Sequence, residues 1–99
     1  MARPAALTTK ELDHFLASSV DWSLEEGQLV RRATAVSFPA AIRWVVAVAD
    51  AAERADHHPD IDIRWRAVCF RLSTHDADAV TSLDVDLARD IDGIVGVSS

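Results

Sequence analysis

The stretch from residue 53 to residue 84 reads ERADHHPDIDIRWRAVCFRLSTHDADAVTSLD. It holds three of the four histidines of the 99-residue chain, at His57, His58 and His75, and it is rich in carboxylates. Imidazole is the side chain whose ordinary pKa lies nearest neutrality, so several imidazoles in one pocket can give and take protons at physiological pH. The stretch therefore favours an acid–base site, and a metal site is the main alternative.

The same stretch predicts strands followed by a helix. Residues 61–67 alternate between apolar and polar side chains, as a half-buried strand does, and residues 68–72 continue as strand. No Gly or Pro marks a turn near Trp65, so one long strand and two strands kinked there both fit. Thr81, with Asp84 three residues later, has the form of a helix start. The predicted stripe of that helix is Leu83, Leu87, Ile91 and Ile94 or Val95, and its predicted end is at Gly93 and Gly96.

Upstream, residues 37–55 predict a long helix. Ser37 can cap it, and Pro39 lies in the first turn, where a missing N–H has no cost. The stripe expected to pack on the sheet consists of Ile42, Val45, Val46, Ala49 and Ala52, with Glu53 at its end. Trp44 and Val48 fall on the far side of this helix, so we expect them to meet another helix or a second subunit, or to stay partly exposed.

The first third of the chain predicts a helix and a hairpin. Thr8 and Glu11 have the capping-box form, and the helix that follows is expected to end at Ser18-Ser19. Residues 22–24 and 29–38 read as two strands joined by a turn. The order of elements predicts a single α+β domain over all 99 residues, with two layers: an antiparallel sheet of about four strands and helices packed on one face of it.

Composition and charge exclude several classes of partner. The chain is 49% hydrophobic and 26% charged, with a formal net charge of −6 and scattered basic residues. A nucleic-acid binder needs a basic stripe to neutralise phosphates, so no nucleic-acid partner is expected. No apolar run is long enough to span a bilayer, and the one cysteine, Cys69, lies in an apolar run where a buried, unreactive thiol is expected. We therefore expect a soluble, cytoplasmic protein with no membrane partner.

A zinc site is the alternative interpretation of the histidines. Zinc needs ligands that converge tetrahedrally, commonly one helical turn apart or close together in a tight turn. His57 and His58 are adjacent, so their side chains diverge in most backbone conformations, and Cys69 falls in mid-strand. The histidines could also serve only as cations at a helix C-terminus, which explains one of the adjacent pair but not His75. Acid–base chemistry is the interpretation that we favour.

With these residues in view, the chain resembles the pterin-4a-carbinolamine dehydratases. The shared pattern is Glu53-x-x-x-His57-His58-Pro59-Asp60, then Trp65, then Leu72-Ser73-Thr74-His75-Asp76, then Asp84-x-x-Leu87-Ala88. The resemblance implies the order α-β-β-α-β-β-α, a homo-dimer or homo-tetramer, and no metal or organic cofactor. It implies the loss of water from a 4a-hydroxytetrahydropterin to give the quinonoid dihydropterin. The implied client is an aromatic amino acid hydroxylase whose pterin is recycled.

The resemblance also implies roles for the three histidines. His57 and His75 are the acid–base candidates, and His58 is expected to bind and orient the pterin and to share the proton transfer. Glu53, one helical turn before His57, is expected either to hold that imidazole in one tautomer or to pack at the edge of the core.

Three further residues are substrate-binding candidates, each with a structural alternative. Asp84 either reaches the site or stabilises a helix N-terminus. Trp65 either stacks on the planar pterin or fills the core. Asp60 bonds either a backbone N–H or a group of the substrate. We expect the three imidazoles to surround one solvent-reachable cleft near Trp65.

A non-catalytic dimerisation or pterin-binding module on the same fold is the alternative function. Relatives in animals also act as dimerisation cofactors of a homeodomain transcription factor, and a fold does not determine a function. The chain departs from the family pattern at Ile61, where an aromatic residue is usual, and at residues 76–79, where glycines are usual. Neither departure removes a proton donor, and the intact histidines favour the enzyme.

Overall fold

The computed structural model describes residues 5–98, and its elements follow the order α-β-β-α-β-β-α. The helices are α1 (Thr9–Ser18), α2 (Phe38–Ala55) and α3 (Ser82–Ser98). The strands are β1 (Trp22–Glu25), β2 (Gln28–Thr34), β3 (Asp60–Arg64) and β4 (Ala67–Leu72), and a 3-10 turn spans His75–Ala77. The strands form one antiparallel sheet in the order β1-β2-β4-β3, which confirms the predicted α+β class.

The helices cover one face of this sheet. Leu29 of β2 lies opposite Leu72 of β4, and Ile63 of β3 lies opposite Val68 of β4. Because side chains alternate along a strand, these residues share one face. The helix residues that join them in the hydrophobic core include Phe15, Trp44, Val48, Leu87 and Ile91. The other face of the sheet carries mostly polar and charged side chains and is exposed.

The predicted cap of α1 is present. The Thr8 hydroxyl accepts a hydrogen bond from the Glu11 N–H at 3.1 Å, and the Glu11 carboxylate accepts one from the Thr8 N–H at 2.9 Å. The bond from the Thr8 backbone lowers the pKa of Glu11. Phe15 is buried on the inner side of the helix, and the predicted helix is confirmed.

The bounds of α2 agree with the prediction, and its cap shortens the preceding strand. Ser37 accepts a hydrogen bond from the Ala40 N–H at 3.1 Å, and Pro39 follows in the first turn. Phe38 and Pro39 therefore belong to the helix, and β2 ends at Thr34 instead of the predicted Phe38.

The buried face of α2 differs from the prediction. The side chains that pack in the core are Ala40, Ala41, Trp44, Val48, Ala51 and Ala52. Ile42 and Val46, which were expected to pack on the sheet, are exposed. The helix is apolar around most of its circumference, so periodicity alone does not choose a face, and the large apolar area of Trp44 decides it. Trp44 and Val48 therefore belong to the core, together with residues of α3 such as Leu87 and Ile91. Of the three expected surroundings, contact with another helix is confirmed, and a second subunit and partial exposure are not observed.

Residues 60–72 form two strands, which is the second of the two alternatives that the sequence left open. Arg64 at the end of β3 lies opposite Ala67 of β4, so Trp65 and Arg66 form a two-residue turn. Trp65 has a positive φ of 56°, is 71% exposed and stacks 4.8 Å from the Arg66 guanidinium. The turn uses neither Gly nor Pro, which is why the sequence pattern did not decide between one strand and two.

The last helix continues beyond its predicted end. α3 runs through Gly93 and Gly96 to Ser98, so the expectation that these glycines end it is wrong. A glycine inside a helix costs only about 1 kcal/mol relative to alanine. Ile91 and Val95 are buried one turn apart, and their packing offsets that cost. None of the described helices is long and apolar enough to cross a membrane.

Candidate active site

The two adjacent histidines follow the C-terminal end of α2, where the backbone reverses. Asp56 has a left-handed conformation, with φ 49° and ψ 43°, and its N–H bonds the carbonyl groups of Ala52 and Glu53. The His57 N–H also donates to the Ala52 carbonyl, at 3.1 Å. A left-handed residue of this kind ends a helix, so His57 and His58 are no longer in helical register with the residues before them.

His57 points into the protein and pairs with a carboxylate from α3. Its side chain is 10% exposed, and Nε2 lies 2.5 Å from Oδ1 of Asp84, whose side chain is 0% exposed. The two residues are 27 positions apart in the chain. His57 also lines the cleft described below, so its ring can be reached from that cleft.

His58 has a contrasting environment. Its side chain is 58% exposed and pairs through Nε2 with Oε2 of Glu53, which is 76% exposed. The expectation that Glu53 holds His57 is therefore wrong. The left-handed residue Asp56 takes His57 out of the helical register and brings His58, five positions after Glu53, to the carboxylate instead.

His75 reaches the same region from the end of β4. It begins the 3-10 turn, which an isolated bridge between Thr74 and Ala79 closes. Asp78 ends the turn in a left-handed conformation, and its N–H donates to the His75 carbonyl at 3.1 Å. Backbone hydrogen bonds thus fix the main chain at this exposed histidine without a glycine in the loop.

A cleft of about 390 Å³ lies between these segments, within the ~300–1,000 Å³ usual for small-molecule sites. The residues that line it are Asp56, His57, His58, Pro59, Asp60, Ser73, Thr74, His75, Asp76 and Leu83. Two larger clefts, of about 540 and 690 Å³, lie on the exposed sheet face and between α1 and α3. The first contains no histidine and the second contains only His14. The convergence of three imidazoles makes the smaller cleft the candidate active site.

The carboxylates predicted for the site take different positions around it. Asp60 lines the cleft at the start of β3, whereas Glu53 contacts the cleft through His58. Asp84 is buried behind His57 and has no surface to offer a substrate, so its expected role is corrected from binding substrate to contacting the imidazole. It also accepts a hydrogen bond from the Thr81 N–H at 2.9 Å, which is the helix-start role considered as its alternative.

Trp65 does not line this cleft. The cleft lies where β3 begins and β4 ends, whereas the turn at Trp65 and Arg66 joins the opposite ends of these strands. β3 has five residues and so spans roughly 15 Å at ~3.3 Å per residue. The expectation of Trp65 beside the histidines is therefore wrong within a single chain, because the hairpin carries it a full strand length away from Asp60.

The described residues include no group of three His, Cys, Asp or Glu side chains that could hold a metal ion. His57 and His58 each direct Nε2 at a carboxylate. Cys69 lies on the exposed sheet face, opposite Arg32 and Asp62, and is half-buried instead of fully buried as predicted. The zinc alternative therefore lacks a ligand set in this part of the chain.

Two threonines complete the surroundings of Asp84 and were not predicted as site residues. Thr74 Oγ1 donates to Asp84 Oδ2 at 2.8 Å and lies 2.7 Å from Thr81 Oγ1. Both threonines are buried. The sequence held two signals for them, namely the Thr81-x-x-Asp84 helix start and a hydroxyl residue directly before His75. Only the first signal entered the prediction, and only as a cap.

The α+β fold that carries this cleft is similar to that of a solved pterin dehydratase. The crystal structure of a transcriptional coactivator/pterin dehydratase from Brucella melitensis matches with a TM-score of 0.88 and 29% sequence identity. The match covers 92% of this chain and 99% of that chain.

Sequence comparison agrees with the structural match. Residues 5–94 match the family model described as Pterin 4 alpha carbinolamine dehydratase. A protein of Nocardia farcinica (strain IFM 10152) named "Putative pterin-4-alpha-carbinolamine dehydratase" is 52% identical over 87% of this chain and 90% of its own length. A protein of the same name from Mycobacterium avium (strain 104) is 49% identical over 93% of this chain and 98% of its own. The chain belongs to the pterin-4-alpha-carbinolamine dehydratase family, whose reaction class is that of a hydro-lyase.

Proposed function

We propose that the chain dehydrates a 4a-hydroxytetrahydropterin to the quinonoid dihydropterin by histidine acid–base catalysis. The observation that supports this most directly is the cleft of about 390 Å³ bordered by three imidazoles from two separate segments. Family membership supports the reaction class. The imidazoles supply groups that exchange protons near neutrality, which is what this dehydration requires.

The reaction needs one proton removed and one proton supplied. The C4a–O bond breaks, the electron pair of the N5–H bond forms an N5=C4a double bond, and the departing hydroxide takes up a proton and leaves as water. A base must accept the N5 proton, and an acid must protonate the oxygen. Two imidazoles can divide these tasks, and each returns to its starting state by proton exchange with solvent.

We assign the proton transfers to His57 and His75. They come from different segments of the chain, so a ring bound in the cleft can meet one imidazole at N5 and the other at the 4a-hydroxyl. Asp84 holds the His57 ring in a defined position, and the backbone hydrogen bonds of the 3-10 turn fix the point on the main chain from which the His75 ring projects. A fixed position suits proton transfer because a small misplacement of the reacting groups lowers the rate steeply.

We assign substrate binding to His58 and Asp60. The exposed His58 ring, paired with the exposed Glu53 carboxylate, can adjust to a ligand that enters from solvent. Asp60 lines the same cleft, and its carboxylate can accept hydrogen bonds from N–H groups of the pterin. Glu53 supports binding by orienting His58.

In this proposal the reaction takes place in the cytoplasm and returns the pterin of an aromatic amino acid hydroxylase to its reducible form. Family membership supports the pterin as the substrate in this setting. The Brucella melitensis protein is described as a transcriptional coactivator as well as a pterin dehydratase. For this chain, a scaffold without catalysis has no need of three imidazoles at one cleft, so the enzyme is the better supported function.

We also propose that the chain forms a homo-dimer or homo-tetramer through α2. Phe38, Ile42 and Val46 recur every four residues along one side of this helix, and each is at least 38% exposed. A row of exposed apolar side chains commonly marks an interface. Light scattering should give a dimer or tetramer for the native protein and a smaller particle for Val46→Glu. A native monomer would contradict this assignment.

The experiment that tests the enzymatic proposal is a dehydration assay with freshly generated 4a-hydroxytetrahydropterin. His57→Ala and His75→Ala are expected to lower kcat/KM by about 10²–10⁴-fold, the usual contribution of a general acid or base. His14→Ala is the matched control, because His14 is exposed on α1 and does not line the cleft. It should keep the native rate. If the native protein is no faster than buffer, the non-catalytic alternative replaces the enzyme.

A further inference from the structure

The carboxylate behind His57 receives hydrogen bonds on both of its oxygens. Asp84 Oδ2 accepts from Thr74 Oγ1 at 2.8 Å and from the Thr81 N–H at 2.9 Å. Oδ1 lies 2.5 Å from His57 Nε2. Asp84, Thr74 and Thr81 are all buried, so protein groups and not solvent orient the carboxylate.

The direction of the hydrogen bond between the two threonines follows from the bonds that each of them makes to other groups. A backbone N–H can only donate, and the Leu83 N–H donates to Thr81 Oγ1 at 3.2 Å. The two threonine oxygens are 2.7 Å apart, and the single hydroxyl proton of Thr74 already points at Asp84. The Thr81 hydroxyl therefore donates to Thr74, and the Thr74 hydroxyl donates to the carboxylate.

This direction determines which nitrogen of His57 carries a hydrogen. An ionised carboxylate has only acceptors, and Oδ2 of Asp84 is occupied by the two threonines. Oδ1 accepts as well, so the hydrogen between Asp84 and His57 belongs to Nε2 of the ring. In the neutral ring the bare nitrogen is then Nδ1, and because Nε2 is bonded to Asp84, Nδ1 is the nitrogen left for a ligand in the cleft that His57 lines.

We infer that Thr74 and Thr81 are positioning residues that fix the tautomer of His57, so that His57 exchanges protons with the substrate through Nδ1. Each threonine acts through Asp84 and not on the reacting atoms. The kinetic part of this inference rests on the proposed function. The tautomer is a property of the chain itself and can be measured without substrate.

The test of the tautomer is a nitrogen-15 NMR measurement of the His57 ring, made on the native protein and on Asp84→Asn at a pH where the ring is neutral. The native ring is expected to show a protonated Nε2 and a bare Nδ1. In Asp84→Asn the threonine donors hold the amide oxygen on their side, so the NH2 group faces the ring. Nε2 must then accept, and the tautomer is expected to invert. A native ring protonated at Nδ1, or an unchanged tautomer in Asp84→Asn, overturns the inference.

A kinetic comparison separates positioning from packing. Thr74→Val removes the hydroxyl with little change of shape and is expected to lower kcat about tenfold, or ~1.4 kcal/mol, with KM nearly unchanged. Thr74→Ser keeps the hydroxyl and should restore most of the native kcat. Thr34 is exposed on β2, so Thr34→Val is the matched control and should keep the native kcat. A native kcat for Thr74→Val overturns the positioning role.

The two measurements also distinguish failure of this inference from failure of the proposed function. If the native protein does not dehydrate the pterin and the tautomer nevertheless inverts in Asp84→Asn, the tautomer assignment is supported and the proposed function is overturned. If the native protein is active and the tautomer does not invert, the proposed function stands and the role of the threonines falls.

Discussion

His57 and His58 are neighbours in the chain, and each bonds a carboxylate through Nε2, yet their surroundings are opposite. The pair of His57 and Asp84 is buried, whereas the pair of His58 and Glu53 is exposed. Exposed pairs gain little free energy, because water screens the charges and two long side chains must be ordered. In a buried pair, loss of one partner leaves the other without a hydrogen bond. The same chemical pairing therefore gives one rigid and one adjustable imidazole at a single cleft.

The largest expected effect comes from removing the buried carboxylate. Asp84→Ala leaves one imidazole and two threonine donors without an acceptor, so we expect the free energy of unfolding to fall by about 3–5 kcal/mol. Asp86→Ala is the matched control, because Asp86 is exposed two positions further along α3. It should change this free energy by less than about 0.5 kcal/mol. Urea denaturation measures the free energy of unfolding of both variants. Equal losses would show that the buried hydrogen bonds of Asp84 add no stability beyond that of an exposed carboxylate.

The pair of His58 and Glu53 is expected to contribute much less to stability. A double-mutant cycle with Glu53→Gln and His58→Gln measures its coupling, which should lie at about 0.2–1 kcal/mol. Added salt should weaken the coupling, because both side chains are in water. A coupling above ~2 kcal/mol would mean that His58 is held as firmly as His57, and the comparison would break.

A third carboxylate pair extends the comparison to an exposed site without a histidine. On the exposed sheet face, the Glu25 carboxylate accepts hydrogen bonds from the Arg32 guanidinium at 2.7 and 3.1 Å and from the Ser23 hydroxyl at 2.9 Å. The Arg32 guanidinium, and after it the Ser23 hydroxyl, lowers the pKa of Glu25 from its ordinary 4.5 to about 2. The guanidinium stays charged at any pH in this range, so the carboxylate alone titrates.

The pair of Glu25 and Arg32 has the smallest expected effect on stability, and that effect depends on pH. A carboxyl group whose pKa is lower in the folded state stabilises the fold above its unfolded pKa and loses that stabilisation as the pH falls through its folded pKa. The stability advantage of the native protein over Glu25→Gln should therefore be complete above about pH 4.5 and decline towards pH 2. Thermal unfolding across this range measures the difference. A difference that does not change with pH would show that Arg32 does not act on the ionised carboxylate.

Features that depend on residues close together in the chain were predicted from the sequence. The cap formed by Thr8 and Glu11 and the bounds of α2 both follow from short-range rules, and the structure confirms them. The α+β class followed from the order of such elements, and the family followed from a pattern of residues and intervals.

Features that depend on the folded surroundings were missed. α2 is apolar on two sides, so the choice to bury Trp44 depends on the elements that pack around it. The contact between His57 and Asp84 joins residues 27 positions apart, and no spacing rule connects them. The expected contact between Glu53 and His57 assumed a continuous helix, and the left-handed conformation of Asp56 breaks that assumption.

The reversal at Asp56 also limits how this segment can vary in length. Because the imidazole that follows it goes to the interior and the next one goes to water, one residue inserted before His57 would move that histidine to the solvent-facing position, and one residue deleted there would move His58 to the interior position. Glycine and asparagine adopt the left-handed conformation readily, so they are tolerable replacements for Asp56. This segment must therefore preserve the number of residues between the helix and β3 as well as its two histidines.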